Sequence, residues 1–426
     1  MTPTALLPLV LMFLAAGTPI FIALGLTAFL LFWAKGANLI GMAQIIVDQM
    51  NTIGLLAIPF FVMAATFMQR GGIAKALIDC AYAWVGATRG GLAIVCVVAT
   101  TIFAAICGSS VATALAMGTI LVPAMVARNY GRPFAMGVVG ASGTLGILIP
   151  PSLSMIVFAI IADQSVPRLF LAGVIPGLIQ AALFAAWIVF YARRKGFPPE
   201  QRLPRDEFVR VNLHALPALA VPAIVLGGIY SGIVTVAEAA ALAAIVAVLA
   251  SVFVYRGVKP SQILGLLAES MKGAAVIMLI IASALAFGHW ITESGLARSV
   301  VQFAIDADVS AWQFLLFINI AMLFLGMFLE VISIILITLP LILPLLTSLN
   351  IDPIHFAVVL TINMEVALLT PPVGLNLFVM SSITRAPVAE VIRGVSPFIV
   401  LLFALLALVT YVPEISTFLP SLVFDN

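Results

Sequence analysis

Two stretches carry the residues best suited to holding ions. Gly143-Thr144-Leu145-Gly146-Ile147-Leu148-Ile149-Pro150-Pro151-Ser152 lies in the middle of one apolar run, and Leu369-Thr370-Pro371-Pro372-Val373-Gly374-Leu375-Asn376 in the middle of another. Proline brings no amide donor and disfavours helical geometry at the residue before it, while glycine permits unwinding. Each run should therefore split into two half-helices. Carbonyls freed at the end of the first half can ligate a cation, and amides at the start of the second attract an anion. Ser109 and Ser110, at a Gly-Ser-Ser break in a third run, add hydroxyl oxygens, and Asn363, Thr370 and Asn376 add amide and hydroxyl groups. Such oxygens suit a hard cation such as sodium. Taken singly, each Ser, Thr or Asn is better explained by a hydrogen bond between membrane helices; beside two mirrored breaks they favour binding.

The elements that position these groups are set by composition. The 426 residues are 64% hydrophobic and 8% charged, with a mean hydropathy of +1.26. So little polar surface cannot coat a soluble globule, and the chain belongs in lipid as one large membrane domain. The first basic residue is Lys35, so the N-terminal run reads as a retained span and not as a secretory leader. Cys80, Cys96 and Cys107 are isolated and read as packing residues. The net charge of +2 gives no sign of a nucleic-acid partner.

Apolar segments lie near 4–33, 50–68, 92–127, 134–162, 169–192, 213–231, 234–255, 273–292, 311–349, 354–382 and 395–416. A bilayer core of about 30 Å takes roughly 20 apolar residues per helical span. The segments 92–127 and 311–349 are too long for one span and are broken at Gly108-Ser109-Ser110 and near Glu330 to Ser333. Each is a re-entrant hairpin or a pair of short crossings, alternatives that hydropathy leaves open. Basic residues resist translocation. If the loop carrying Arg70, Lys75 and Arg89 is cytoplasmic, alternation places 16 of the 19 basic residues on that side, leaving Lys35, Arg168 and Arg298 opposite. The N-terminus is then cytoplasmic and the C-terminus periplasmic.

The hydrophilic stretch 193–212 divides the chain into 1–192 and 213–426. At a constant offset of 221, Pro123 matches Pro344, Pro150-Pro151 matches Pro371-Pro372, Gly173 matches Gly394 and Pro176 matches Pro397. An odd number of spans, five, separates corresponding elements, so the two repeats face opposite ways, as in secondary transporters whose sites lie at the midplane. The expected fold is an all-α polytopic membrane protein of two inverted repeats, each with a hairpin and a broken helix. Glu330 and Glu365 are the carboxylates that this topology places within the membrane, where they either cap a helix or couple a proton or cation. No Lys or Arg lies deep in a span, so an anionic substrate would be held by helix N-termini, hydroxyls and co-bound cations. There is no GxxxxGK[ST] loop, HExxH or GxSxG, and His214, His289 and His355 are scattered near span ends, so neither ATP hydrolysis nor another enzymatic role is expected.

Four segments, GSSVATALAMGTILVPAM (108–125), GTLGILIPPSLSMIVFA (143–159), FLEVISIILITLPLILPL (328–345) and NMEVALLTPPVGLNLFV (363–379), resemble the large membrane subunit of tripartite ATP-independent periplasmic (TRAP) transporters. The resemblance covers essentially the whole chain. It implies an elevator-type, sodium-coupled importer of a small organic acid in the bacterial inner membrane, with a mobile domain of hairpins and broken helices sliding on a scaffold. It also implies a periplasmic binding protein that delivers the carboxylate and a small four-helix membrane subunit, expected here as a separate chain. By the same resemblance, Ser109, Ser110, Gly143, Gly146 and Pro150 would form one sodium site. Asn363, Thr370, Gly374 and Asn376 would form another, with substrate against Ser110, Pro151, Ser152, Pro372 and Asn376. Sodium is the one ion implied, with no other cofactor. Ala367 departs from the glycine common in the family before the second Pro-Pro. A carrier of the same superfamily that needs no binding protein, coupled to sodium or protons, is the alternative; an ion channel would show passive conductance instead of saturable uptake.

Overall fold

The computed structural model describes residues 9–425 apart from 11, 14–15, 37–38, 198 and 200–201, so the first part of the apolar run 4–33 lies outside the described residues. The described elements are helices, with one isolated bridge between Arg89 and Pro199. The first repeat comprises α1 (Ile20–Ala34), α2 (Leu39–Met50), α3 (Ala57–Arg70), α4 (Ile73–Val85), α5 (Gly91–Cys107), α6 (Ser110–Ala127), α7 (Arg132–Leu148), α8 (Leu153–Ala162) and α9 (Val166–Lys195). The second holds α10 (Arg205–Tyr230), α11 (Val236–Leu249), α12 (Ile263–Ser294), α13 (Leu296–Asp306), α14 (Ala311–Gly326), α15 (Val331–Ser348), α16 (Pro353–Leu368), α17 (Leu375–Thr384), α18 (Val388–Tyr411) and α19 (Glu414–Phe424). Nine described helical stretches are long and apolar enough to cross a bilayer.

The repeat is visible in the helix bounds. Shifting the starts of α5 to α9 by 221 lands within one residue of the starts of α14 to α18, and the bounds of α6 map onto those of α15 without error. Between the two hairpins the chain runs through the α7–α8 pair, α9, α10, α11 and α12, five long apolar passages. Polar contacts between distant segments show which ends lie together. Trp84 Nε1 donates to Asn212 Oδ1 at 2.8 Å and Arg132 lies 4.0 Å from Glu390 at one end. Tyr230 Oη donates to the Pro167 carbonyl at 3.1 Å and Arg168 pairs with Asp425 at 2.6 Å at the other.

The hydrophilic connection is shorter than its composition suggests. α9 continues to Lys195 and α10 starts at Arg205. Arg193, Arg194 and Lys195 sit in the last turn of α9, and Asp206 and Glu207 in the first turn of α10, where each sign of charge suits the helix dipole. Much of the charge that reads as a linker thus belongs to helix ends. Elsewhere, small residues let helices approach: Ala240, Ala243, Ala244 and Ala247 of α11 are buried, and α11 packs along α3.

α5 and α6 pack as an antiparallel pair whose tip meets the break between α7 and α8: the Leu153 amide donates to the Gly108 carbonyl at 3.4 Å. α7 runs about 25 Å before that break and α8 a further 15 Å or so beyond it. The tip therefore stops well short of the far end of the broken helix, which is the geometry of a re-entrant hairpin. The second repeat repeats the tie, with the Gly374 amide donating to the Met327 carbonyl at 3.4 Å.

Candidate functional site

Both breaks form at the Pro-Pro pairs, and both pairs are joined by a cis peptide bond. Pro150 and Pro151 offer no amide to the carbonyls of Gly146 and Ile147 four residues earlier. The Ser152 hydroxyl donates to the Ile147 carbonyl at 2.6 Å, lies 2.8 Å from the Ser154 hydroxyl and accepts from the Met155 amide at 3.4 Å. Ser152 thus serves as the cap of α8, and Ser154 reaches the cavity described below.

The first hairpin tip closes on α7 through glycine. A Cβ on Gly146 would stand 2.8 Å from the Ser109 carbonyl oxygen and 2.9 Å from Thr113 Oγ1, and one on Gly143 would stand 2.8 Å from the Ala114 side chain. Ser109, Gly143 and Gly146 are therefore brought together, and with them Thr113, whose buried hydroxyl oxygen has no partner. Gly108 adopts φ +62° at the tip, and a Cβ there would meet the Pro151 carbonyl at 3.0 Å. The absent side chains thus let α7 pack directly on the tip, with the Ser109 carbonyl and the Thr113 hydroxyl facing the Gly146 backbone.

Ser110 joins the two repeats. Its hydroxyl accepts a hydrogen bond from Asn376 Nδ2 at 2.8 Å, and the same amide lies 3.3 Å from the Gly140 carbonyl. Asn376 Oδ1 is buried without a partner. In the second break, Gly374 holds φ +54° as the N-cap of α17, and Thr370 Oγ1 donates to the Val366 carbonyl at 2.7 Å. Pro371 and Pro372 are exposed. Ala367 does not prevent unwinding, because room is made on the hairpin: a Cβ on Gly326 would stand 2.6 Å from Ala367 Cβ. The close approach uses glycine of the broken helix in one repeat and of the hairpin in the other.

Asn363 stands apart, about two turns before the second break. Its Nδ2 donates to the Asn319 carbonyl and Oδ1 at 2.8 and 2.9 Å, and Asn319 donates to Thr410 Oγ1 at 3.1 Å, tying α16 to α14 and α18. Glu365 is fully buried with Gln180 and Thr144 facing its carboxylate, and those two side chains bond to each other at 3.0 Å. Thr144 and Glu365 are repeat mates at the 221-residue offset, and so are Ser109 and Glu330. Glu330 occupies the N-cap position of α15 without a capping bond.

Between the two hairpin tips lies a cavity of about 260 Å³. Ser109, Ser110 and Ser154 line it with Glu330, and Ile277 and Ile280 of α12 close one wall. No Lys or Arg reaches it. Asn376 adjoins it through Ser110, whereas Pro372 does not line it. Thr113, Thr144, Ser154, Gln180 and Asn319 are polar participants that the motifs do not single out. Thr113 was accessible to helical spacing, three residues after Ser110 on one face, and Thr144 to the repeat offset; Gln180 and Asn319 carry no local signal.

The family model described as "Tripartite ATP-independent periplasmic transporter, DctM component" matches residues 7–415. The chain belongs to this family. Among DctM proteins, the C4-dicarboxylate TRAP transporter large permease protein of Pseudomonas aeruginosa is 44% identical over 86% of this chain and 86% of its own length. That of Vibrio cholerae is 39% identical over 97% and 96%. The isethionate TRAP transporter permease protein DctMQ of Oleidesulfovibrio alaskensis is 36% identical over 96% of this chain and 64% of its own length. In fold, the chain is similar to the crystal structure of the Alcanivorax borkumensis YdaH transporter, with a TM-score of 0.64 at 12% identity, covering 89% and 88% of the two chains. As a DctM-family protein it is a transporter permease subunit, multi-pass in the membrane, and not an enzyme.

Proposed function

We propose that this DctM-family chain imports a small organic acid by sodium symport, moving the hairpins and broken helices as one body against the remaining helices. The observation that carries this reading is the convergence of both hairpin tips and the first broken helix on one cavity of about 260 Å³ that no Lys or Arg lines. An acid bound there needs positive potential from elsewhere. The starts of α6 and α8 supply partial charge and hydroxyls, and sodium at Ser109, Thr113 and Gly146 supplies the rest. Binding of anion and cation is then mutually reinforcing, which is what symport requires. A second sodium fits the Thr370, Gly374 and Asn376 turn, with Asn363 holding α16 in place behind it.

The carboxylate cargo first to try is a C4-dicarboxylate, the substrate class in the names of the Pseudomonas and Vibrio relatives. A periplasmic binding protein would deliver it, and a small four-helix membrane subunit would complete the scaffold. The membrane is the bacterial inner membrane, with the N-terminus cytoplasmic and the C-terminus periplasmic, because this orientation keeps 16 of 19 basic residues inside.

Sodium binding is tested on the purified chain in micelles. Exchanging potassium for sodium at constant ionic strength should raise the unfolding temperature, and Ser110→Ala should reduce the rise. Equal unfolding temperatures in the two salts would refute a sodium site.

A further inference from the structure

A second cavity, of about 510 Å³, lies at the basic-rich end of the molecule, away from the hairpin tips. Three elements distant in sequence bring one cation each to it: Lys75 from α4, Arg128 from the end of α6 and Arg210 from α10. Arg128 is held over the Tyr82 ring, 5.3 Å from its centroid. Asp79, one turn after Lys75, and Glu207, 3.5 Å from Arg210, also line it and offset part of that charge. The rest of the wall is apolar, including Ile78, Leu92 and Leu121. Beside it, Ile120, Val209 and Leu213 are 37%, 47% and 61% exposed on the outer faces of α6 and α10, the surface a membrane helix gives to acyl chains.

We propose that this cavity binds the phosphate headgroup of a membrane phospholipid, with Lys75, Arg128 and Arg210 around the phosphate and the acyl chains along Ile120 and Leu213. Basic pockets between membrane helices at this level suit lipid headgroups. Three cations offset by carboxylates in the same wall, and exposed to salt, give an attraction too small to hold a free anion from water. A lipid is already concentrated in the bilayer and needs only that small increment to stay. The bound phosphate would bridge the base of the first hairpin to α4 and α10, two helices outside the hairpin and broken-helix body. The lipid composition of the membrane would then set how firmly that body is held.

The test is native mass spectrometry of the full chain in micelles doped with phosphatidylglycerol, or with diacylglycerol of the same acyl chains. The expected result is retention of phosphatidylglycerol but not diacylglycerol, weakened about fivefold by Lys75→Gln or Arg210→Gln, as for one lost cation near a membrane surface. Arg298→Gln, at the opposite end, should leave retention unchanged. Using two separate variants keeps the result readable if one folds poorly. Equal retention of both lipids, or retention unaffected by either cavity variant, would overturn the site. If inorganic phosphate displaces the lipid at millimolar concentration, the cavity is a soluble-anion site and the lipid assignment fails.

Discussion

Asn376, just past the second break, donates a 2.8 Å hydrogen bond to the hydroxyl of Ser110, at the tip of the first hairpin, across 266 residues of sequence. Neither residue is exposed, and Asn376 Oδ1 has no partner. The pair links the two halves of the chain at the edge of the cavity. Because the bond is buried, the two side chains should act as a unit: Ser110→Ala and Asn376→Ala should each raise the sodium concentration for half-maximal uptake. In a double-mutant cycle they should show a coupling of about 1 kcal/mol. Strict additivity would show that the hydrogen bond has no part in sodium binding.

Gly146 lets α7 and the first hairpin tip come into direct contact. Gly146→Ala would put a methyl group 2.8 Å from the Ser109 carbonyl oxygen and 2.9 Å from Thr113 Oγ1. Overpacking on this scale costs about 1–3 kcal/mol, expected as a loss of sodium affinity of roughly tenfold. Gly227→Ala, with nothing within 4 Å of the new Cβ, is the control and should transport as the parent does. Titration of uptake against sodium in the two variants separates blockage of a cation site from a general cost of added bulk.

Glu365 should tolerate loss of its charge but not of its shape. It is fully buried and neither carboxylate oxygen has a hydrogen-bond partner. Glu365→Gln keeps the shape and adds an amide donor beside the unpartnered Gln180 Oε1, so it should unfold at no lower temperature than the parent. Glu365→Ala leaves a cavity between α7, α9 and α16 and should cost about 2 kcal/mol or more. Thermal unfolding of both variants in micelles checks the ordering; a Gln variant less stable than the Ala variant would mean that the charge itself is needed.

Much of this arrangement was legible in the chain. Pro150-Pro151 and Pro371-Pro372 locate both breaks, because a missing amide acts through the backbone and needs no tertiary context. The shared offset of 221 places the repeat for the same reason. Hydropathy left open whether 92–127 crosses the membrane; the tie from Leu153 to Gly108, which no local pattern announces, places the tip beside the break of the neighbouring helix. Gln180 and Asn319 escaped notice because nothing local marks them: each matters through a residue on another helix, Thr144 in one case and Asn363 in the other. The short amphipathic helices α4 and α13 were likewise invisible to a search for long apolar runs.

Orientation can be read by cysteine labelling in intact cells, after Cys80, Cys96 and Cys107, all buried, are replaced. An impermeant maleimide should label Thr417→Cys on α19 from outside. Arg205→Cys at the start of α10 should react only once the membrane is opened. The opposite pattern would reverse the assignment drawn from the basic residues.

Uptake into proteoliposomes carrying the chain, its small membrane subunit and the loaded binding protein tests the central claim most directly. With a C4-dicarboxylate as labelled cargo, an inward sodium gradient should drive accumulation. Where the sodium ions entering carry more charge than the anion entering with them, a potential negative inside should increase it, by about 2.3 kcal/mol of driving force per net charge per 100 mV. Accumulation that stops when potassium replaces sodium is the predicted result. Equal uptake in both salts, or accumulation that requires ATP, would contradict it.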